Sequence, residues 1–531
     1  MSNQKDFYYR EFVRGRISRR EFIGRLTAAG VALAAIPAVL ANAAKAAAPK
    51  SGGHLRIGFS QGSTSDSTDP TTTGGGATML TNFSRLGHLT VVNADGELEP
   101  SLAESFEAGP GAIEWTFDLR RDVEFHSGKT LDADDVIGSI ANHLGEDSKS
   151  ALKGVVESIE EMRKDGDHRV IFRLREGNAD FPFVLSASQL GILPAKDGAV
   201  DSTSWDGTGA YAIEEFDPGV RIALKRHPNY FKDDVAFFDS AEFLIILDGT
   251  ARQNALVTGE VDVINQIELK TVEFLESMED IEVLDVPGTL HFTFPMRTDI
   301  PPFDNNDVRL ALKYAIDREQ LLRIILRGHG TIGNDHPISR ANRFFAWDLP
   351  QRTYDPDKAR FHLKKAGMEN LKVELSASDS IWTGALDAVV LYREHAAKAG
   401  IEIVPNRVPN DGYWSNTWMK DAWCASYWSG RPTEDWMFSQ AYAAEASWNE
   451  TFWKHDRFDV LLRAARAELD ESKRREMYGE MQLIVRDEGG AVIPLFSNFV
   501  IGVSTKVAHS ESVAGNWDLD GLKILERWWF A

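Results

Sequence analysis

The residues best suited to binding a small molecule lie in one stretch of the chain, 413–453. It holds seven of the fourteen tryptophans, and a polar loop at 429–435 interrupts them with Gly430, Arg431 and Pro432. The aromatic residues follow neither a two-residue nor a 3.6-residue repeat for long, so the stretch is not a single strand or helix. Rigid aromatic walls around a few charges suit a small-molecule pocket. The alternative is that the rings only fill a core.

Other patterns that could support catalysis or metal binding are weak. The segment 58–62 matches G-x-S-x-G, which in hydrolases exposes a nucleophile, here Ser60. The Ser/Thr/Gly-rich residues that follow are a poor helix start, so a hydrolase is disfavoured. Cys424 is the only cysteine, the histidines are scattered, and no H-E-x-x-H occurs. The sequence therefore predicts no catalytic residues, no bound metal and no cofactor.

Composition and charge restrict the class of protein further. A chain of 531 residues is too long for one simple core, so two or three lobes are expected. The net charge of -22 argues against a nucleic-acid partner, because neutralising phosphate requires clustered Lys and Arg. It is typical of a soluble protein, and we expect a monomer.

The N-terminal segment 1–48 has the form of a twin-arginine signal peptide. Arg19 and Arg20 stand in SRREFI, and an Ala-rich apolar run follows to about residue 44. Pro37, Asn42 and Lys45 interrupt this run before it could span a bilayer. No cysteine is present there to carry a lipid. We therefore predict export by the twin-arginine route and a periplasmic location.

The elements along the rest of the chain alternate between strands and helices. Trp115 to Arg120 alternates like a strand, and Asp132, Asp134 and Asp135 open a helix as caps and dipole partners. Residues 308–325 place apolar side chains on one helical stripe. This interleaving is typical of an α/β protein.

Six segments of the chain carry motifs in a fixed order: GGHLRIG at 52–58 with Asp69-Pro70, WTFDLRRDVEFHSGKTLDADDV at 115–136, 207–231, ALVTGEVDV at 255–263, 308–330 and 458–496. Together they resemble those of the extracellular solute-binding proteins of peptide- and nickel-type ABC importers. The resemblance covers nearly the whole chain after the signal.

The resemblance implies an α/β, two-lobed periplasmic-binding-protein-like fold with an extra subdomain and a hinge between the lobes. Lobe I would comprise 49–90, 204–288 and 497–531, the extra subdomain 91–203, and lobe II 289–496. It further implies capture of a small-molecule ligand by lobe closure, with delivery to the membrane permease of an ABC importer.

The resemblance also points to the ligand-binding residues. Residues 423–427 match W-x-A-D-Y of oligopeptide-binding relatives, in which the aspartate pairs with the ligand's α-amino group. Ser426 stands at that position, and a neutral hydroxyl cannot give this charge-assisted pairing. The loop 429–435 instead resembles the G-R-P-x-x-D loop of glutathione-, opine- and sugar-conjugate-binding branches.

Within that loop Arg431 is the first candidate for a ligand carboxylate, because a guanidinium matches two carboxylate oxygens. Its alternative is an internal pair with Glu434 or Asp435. Either acid could instead hold an ammonium group. The aromatic candidates for stacking or a cation–π cage are Tyr427, Trp428 and Trp436, with Trp382 as a weaker one.

The predicted ligand is a small zwitterionic or anionic solute, such as a short peptide or an amino-acid conjugate. An opine-like or quaternary-ammonium solute comes second and an oligosaccharide third. A metal-chelate carrier and a hydrolase are less favoured.

Overall fold

The protein is described here by a computed structural model covering residues 49–145, 148–379, 381–431 and 433–531. The predicted signal segment, with Arg19 and Arg20, lies outside the described residues. We use the predicted ranges as names for lobe I, the subdomain and lobe II. Within the described ranges, no helix is long and apolar enough to cross a membrane.

Lobe I is built on a seven-stranded mixed sheet whose strands come from separated parts of the chain. The strand His54–Phe59 is central and pairs in parallel with strands on both sides, while the remaining pairs are antiparallel. Its alternate side chains Leu55, Ile57 and Phe59 lie on one face of the strand and are fully buried in the core of lobe I. The strand order is Tyr211–Asp217, Arg221–Arg226, Ser240–Ile245, His54–Phe59, Val263–Ile264, Phe499–Ser504, Ile281–Val286.

The subdomain contains a four-stranded antiparallel sheet with its own apolar core. The predicted strand around Trp115 is observed as Glu114–Leu119, with Trp115 and Phe117 buried. The helix Ala133–Ala141 packs nearby and begins at a capping box formed by Asp132 and Asp135, as predicted. The strand order is Ala103–Ala108, Glu114–Leu119, Arg169–Leu174, Ile159–Lys164; smaller pairs are Thr90–Val92 with Leu98–Pro100 and Ala195–Lys196 with Ala199–Val200.

Lobe II combines a four-stranded antiparallel sheet with a parallel pair of strands. The sheet order is Gly330–Ile332, Ala491–Ser497, His291–Pro295, Ser426–Trp428; the parallel pair is Leu371–Ala377 with Ile401–Arg407. A bridge between Ser376 and Cys424 connects the two groups of strands. In lobe I, a further short pair near the C-terminus joins Val507–Ala508 to Trp529–Phe530.

Helices of eight or more residues cover the sheets. They are Gly76–Arg85, Ala133–Ala141, Gly249–Val257, Asn306–Tyr314, Arg318–Ile325, Pro356–Lys365, Ala385–Ala397, Glu434–Ala441, Asp456–Ala467 and Glu471–Glu488. The shorter α-helical turns are Lys153–Val156, Phe181–Val184, Val272–Glu276, Tyr413–Asn416 and Ile524–Arg527, and the 3-10 turns are Pro110–Ala112, Ser188–Leu190 and Leu269–Thr271. The segment Asp518–Leu522 is a left-handed turn.

The predicted continuous stripe over 308–325 is wrong in one respect, because the segment forms two helices. The second begins at Asp317, whose carboxylate accepts a hydrogen bond from the backbone N–H of Gln320. A capping aspartate competes for the backbone and starts a new helix there. Leu312 and Leu321, one in each helix, are still fully buried.

Candidate functional site

A cavity of about 290 Å³ lies between the lobes, and we call it the central cavity. Lobe I and the subdomain form one wall, and lobe II forms the other. Its lining residues are Gly74, Met79, Phe83, Val91, Val92, Ala151, Leu152, Val155, Ser186, Ala187, Ser188, Gln189, Arg431, Trp436, Gln440, Trp448, Asn516, Trp517, Gly521 and Lys523. Among the residues that the structure describes, none that lines this cavity is acidic.

The loop that carries Arg431 is held between a strand and a helix. The strand Ser426–Trp428 pairs with His291–Pro295 at the edge of the lobe II sheet. At Gly430 a Cβ atom would lie 1.6 Å from the Thr289 hydroxyl, so only glycine allows this close approach. Thr433 then caps the helix Glu434–Ala441 by accepting from the N–H of Trp436. Strand pairing, close approach and cap together direct Arg431 toward the cavity.

In the ranges that the structure describes, Arg431 has no carboxylate partner. Its Nε donates to the Gln440 side chain at 2.6 Å, and its Nη1 donates to the Ser429 carbonyl at 2.8 Å. Burial alone lowers the pKa of Arg431 to about 10, which leaves the guanidinium charged at neutral pH. The alternative of an internal pair with Glu434 or Asp435 is therefore wrong. A buried cation without a counter-ion is costly, and a bound anion would offset that cost.

The two acids of the loop have other partners. Asp435 pairs with Arg466, with 3.0 Å between Oδ1 and Nε. Burial raises the pKa of Asp435 and the Arg466 guanidinium opposes that rise. Glu434 is buried and accepts from the backbone N–H of Phe344 at 2.6 Å. Both carboxylates thus stabilise lobe II internally.

A second, more open cavity of about 610 Å³ adjoins the central cavity, and we call it the outer cavity. Trp436 and Gln440 line both cavities and so form part of the partition between them. The outer cavity has mixed charge; its charged lining residues are Glu157, Arg175, Glu176, Asp180, Asp435 and Arg466. The cleft is therefore polarised: among the described lining residues, the charges of the central cavity are both cationic, whereas the outer cavity has four acids and two arginines, with Asp180 and Asp435 in ion pairs.

The predicted aromatic residues occupy different depths. Trp436 lines the central cavity and also packs against the core of the subdomain, so it spans the cleft. Trp448, from the same aromatic stretch, lines the cavity and contacts Trp428 with ring centroids 5.9 Å apart. Trp428 is buried behind this wall, below the Arg431 guanidinium. Tyr427 is more exposed and contacts Trp414 at 5.8 Å.

Ser426 contacts a buried carboxylate instead of the cavity. Glu450 accepts hydrogen bonds from the indoles of Trp418 and Trp428, at 2.6 and 2.9 Å, and from the Ser426 hydroxyl. Burial raises the pKa of Glu450, and these donors oppose the rise. Glu450 thus fixes the orientation of the tryptophans behind the wall.

Trp382 lies away from both cavities. It is buried in the lobe II core and stacks on Phe292, with ring centroids 4.2 Å apart. A buried, stacked indole is typical of a core residue. A role for Trp382 in ligand binding stays a prediction.

Sequence reasoning did not identify the part of the site near the C-terminus. Asn516, Trp517 and Lys523 line the central cavity from lobe I, and Phe83 lies under the Lys523 ammonium at 4.5 Å. These residues belong to no recognised motif. Residues 516–523 lie far along the chain from Arg431, so no local sequence pattern indicates that both line the same cavity.

The less favoured functions receive no support from local geometry. The Ser60 hydroxyl donates to the side chain of Gln266 at 3.0 Å, and its backbone N–H donates to Asn265. A serine nucleophile needs a basic partner, which an amide oxygen cannot be. Across the described ranges, no group of three or more His, Cys, Asp or Glu side chains is arranged to hold a metal ion.

Comparison with known proteins identifies relatives over most of the chain. The family model for bacterial extracellular solute-binding proteins, family 5 Middle, matches residues 97–450. The peptide transport periplasmic protein SapA of Salmonella typhimurium is 26% identical over 441 residues, covering 76% of this chain and 79% of SapA.

Two solved structures share the fold. DppA of Helicobacter pylori, in complex with the peptide STSA, aligns with a TM-score of 0.73 and 22% identity, over 91% of this chain and 98% of DppA. AgaA of A. tumefacien R10, in complex with agropinic acid, aligns with a TM-score of 0.72 and 22% identity, over 90% of this chain and 99% of AgaA. The predicted α/β, two-lobed fold is therefore confirmed.

Proposed function

We propose that this chain, which belongs to the family 5 bacterial extracellular solute-binding proteins, is the receptor of an ABC importer for a small acidic solute. The solute is a short peptide or an amino-acid conjugate. The protein captures it between the lobes and delivers it to a membrane permease. Binding and release, without chemical change to the solute, constitute this function.

One observation carries the proposal: the charged Arg431 on the wall of the central cavity, which has no carboxylate partner within the described part of the chain. Its remaining guanidinium N–H groups can donate to both oxygens of a ligand carboxylate. Trp436 and Trp448 supply flat apolar surface beside it. The central cavity, of about 290 Å³, lies at the small end of the range for ligand pockets, so the part of the solute that meets Arg431 is small.

The polarised cleft supports a solute with separated charges. A carboxylate in the central cavity would meet Arg431, and an ammonium group reaching past Trp436 would enter the outer cavity near Asp435. Ser426, Trp428 and Glu450 act from behind the wall by fixing the aromatic surface. Tyr427 and Trp382 remain candidates for contact in a more open arrangement of the lobes.

The known relatives support the same solute class. SapA is a peptide transport periplasmic protein, and DppA of Helicobacter pylori is in complex with a tetrapeptide. An opine-like ligand is the second candidate, because AgaA is in complex with agropinic acid.

Capture would proceed by closure of lobe I with its subdomain onto lobe II. A ligand that contacts Arg431 on one lobe and the opposite wall on the other stabilises the closed state more than the open one. In this proposal, the parts that move relative to each other are the lobes with the ranges given above. The protein would act as a periplasmic monomer, exported by the twin-arginine route.

The experiment that tests this function uses the purified protein and the solute that it retains. Mass spectrometry of the supernatant after denaturation should identify a small peptide or amino-acid conjugate. Calorimetry with that compound should give a dissociation constant that Arg431→Gln weakens by about 30-fold, because a charge-assisted hydrogen bond is worth about 2 kcal/mol.

The matched control is Arg463→Gln, which removes an exposed arginine from the helix Asp456–Ala467. It should bind as the wild type does. If Arg431→Gln also binds like the wild type, the central cavity is not the site. If no small molecule is released and no peptide, opine or amino-acid conjugate raises the melting temperature, the receptor function itself is wrong.

A further inference from the structure

The wall of the central cavity opposite Arg431 carries a second cation, Lys523. Its side chain is 8% exposed, and its ammonium lies 3.3 Å from Glu526. The same carboxylate also pairs with Lys232 at 3.0 Å. Two ammonium groups therefore share one carboxylate, and this partly buried group keeps one net positive charge. A second anion would balance it.

The backbone that presents Lys523 is strained. The segment Asp518–Leu522 is wound left-handed, with φ of 51° at Leu519, 60° at Asp520 and 59° at Leu522. Each such residue carries a steric cost because its Cβ crowds the backbone. Strain of this kind persists where the surrounding structure enforces it, and it clusters at binding sites.

Hydrogen bonds to Asp520 hold the strained turn in place. The Asp520 carboxylate accepts from the backbone N–H of Ala514 at 2.7 Å and from the indole of Trp528 at 3.0 Å. It also pairs with Arg527 at 3.0 Å. Asp520 thereby stabilises a turn that puts Trp517, Gly521 and Lys523 on the cavity wall.

Between the two cations the cavity offers amides and no acid. Gln189, Gln440 and Asn516 line it, and none of its described lining residues is Asp or Glu. These uncharged side chains leave Arg431 and Lys523 as the charged groups among its described lining residues.

We propose that the solute carries two carboxylates, one bound by Arg431 of lobe II and the other by Lys523 of lobe I. This rests on the proposed function and names its substrate class, small acidic amino-acid conjugates and acidic dipeptides. Each lobe contributes one cation, so a monocarboxylate satisfies only one wall. The second carboxylate makes closure, as well as capture, depend on the solute.

The test compares two pairs of probes that differ only in an acid and its amide. The pairs are N-acetylglutamate with N-acetylglutamine and Ala-Glu with Ala-Gln. Calorimetry at pH 7 should give at least about tenfold tighter binding for the acid of each pair. Lys523→Met should abolish this difference, Lys523→Arg should preserve it, and Arg431→Gln should weaken both members of a pair.

The matched control is Lys506→Met, at an exposed lysine of lobe I, which should leave the discrimination unchanged. Equal melting temperatures for Lys523→Met and Lys523→Arg exclude a folding defect as the cause. If the wild type binds acid and amide equally, or if Lys523→Met still discriminates, the inference is wrong while the receptor function stands. If none of the four probes binds and the retained solute is neutral or has one carboxylate, the inference is again wrong. If no solute is retained either, and no peptide, opine or amino-acid conjugate raises the melting temperature, the proposed function fails with it.

Discussion

At the scale of single residues, the cleft is defined by charges whose usual partners are missing or shared. Among the described residues, Arg431 donates only to an amide and to main-chain and hydroxyl oxygens of its own loop. Lys523 shares Glu526 with Lys232. A buried cation without a carboxylate also occurs in the core of lobe II, where the Lys313 ammonium donates to backbone carbonyls at 2.8, 2.9 and 3.4 Å. What distinguishes Arg431 and Lys523 from such a structural ion is that both line the central cavity.

The titration of Lys523 gives a prediction for pH dependence. Burial lowers the pKa of Lys523 to about 8, and Lys232 and Arg527 add to this while Glu526 opposes it. His88, also nearby, has a pKa lowered to about 3 by burial and stays neutral. A bound carboxylate favours the charged ammonium and raises its pKa, so binding takes up a proton. Affinity for N-acetylglutamate should therefore fall about tenfold from pH 7 to pH 9.

Calorimetry at several pH values, in buffers of different ionisation enthalpy, measures both the affinity and the proton uptake. The control is Lys523→Arg, whose guanidinium does not titrate in this range. An equally steep fall in this variant would assign the titration to another group.

The sequence could identify Arg431 but could not identify Lys523. Arg431 lies in a loop whose glycine, proline and charges stand out locally among aromatic residues. Lys523 follows Asp518–Leu522, whose left-handed turn no composition rule predicts. Trp428 and Trp436 looked equivalent in the sequence, yet one is buried and the other lines the cavity. How deeply each tryptophan is buried depends on which face of its strand or helix meets the other lobe. That contact joins residues far apart in the sequence.

At the scale of elements, the capping box of the helix Ala133–Ala141 gives a prediction for stability. The Asp132 carboxylate accepts from the backbone N–H groups of Asp134 and Asp135, at 2.9 and 3.2 Å. Replacing a capping side chain by alanine costs about 1 kcal/mol. Asp132→Ala should lower the free energy of unfolding by about that amount in urea denaturation, without changing ligand affinity.

The control here is Asp132→Asn, which keeps the capping oxygen and removes the charge. It should be nearly as stable as the wild type. If Asp132→Asn lowered the free energy of unfolding as much as Asp132→Ala does, the effect would instead come from the ion pair with Lys129, whose ammonium is 3.1 Å from Asp132.

Local elements were predictable from the sequence to the extent that their signals are local. The strand around Trp115 and the cap at Asp132 follow from alternation and capping chemistry. The break between Tyr314 and Arg318 was missed, because apolar spacing continues across it while Asp317 restarts the helix. The central strand His54–Phe59 pairs with residues 240–245, and no local pattern predicts a partner so distant along the chain. The sheet that contains this strand could be predicted only from the family resemblance.

At the scale of the whole molecule, the first prediction concerns export. The segment 1–48 lies outside the described residues, so its function must be tested in cells. Replacing Arg19 and Arg20 by lysine should leave the unprocessed chain in the cytoplasm, because the twin-arginine pair is the feature that the export pathway recognises. Cell fractionation with immunoblotting measures this. Arg14→Lys with Arg16→Lys is the control, and equal retention in both variants would contradict the assignment.

The second whole-molecule property is the contact between the subdomain and lobe II. The Asp180 carboxylate of the subdomain pairs with Arg474 of lobe II, and both side chains are 3% exposed. Arg343 of lobe II also contacts Asp180 at 3.4 Å. Beside them, the backbone N–H of Ala179 donates to the Arg466 carbonyl at 2.7 Å. These contacts join the two sides of the cleft without involving the central cavity.

Asp180→Asn should therefore shift the lobes toward an open arrangement and weaken ligand binding. Breaking a buried ion pair by removing one partner costs about 3–5 kcal/mol, since the remaining guanidinium stays buried without a counter-ion. That cost falls on the closed state, because opening the cleft lets water solvate Arg474. Small-angle X-ray scattering should give a larger radius of gyration for this variant at subsaturating ligand, and calorimetry a larger dissociation constant. Asp134→Asn, which breaks an exposed pair with Lys164 in the same subdomain, should change neither quantity. Unchanged scattering and affinity in Asp180→Asn would mean that the pair only braces the interface and that the cleft closes through the ligand-binding walls alone.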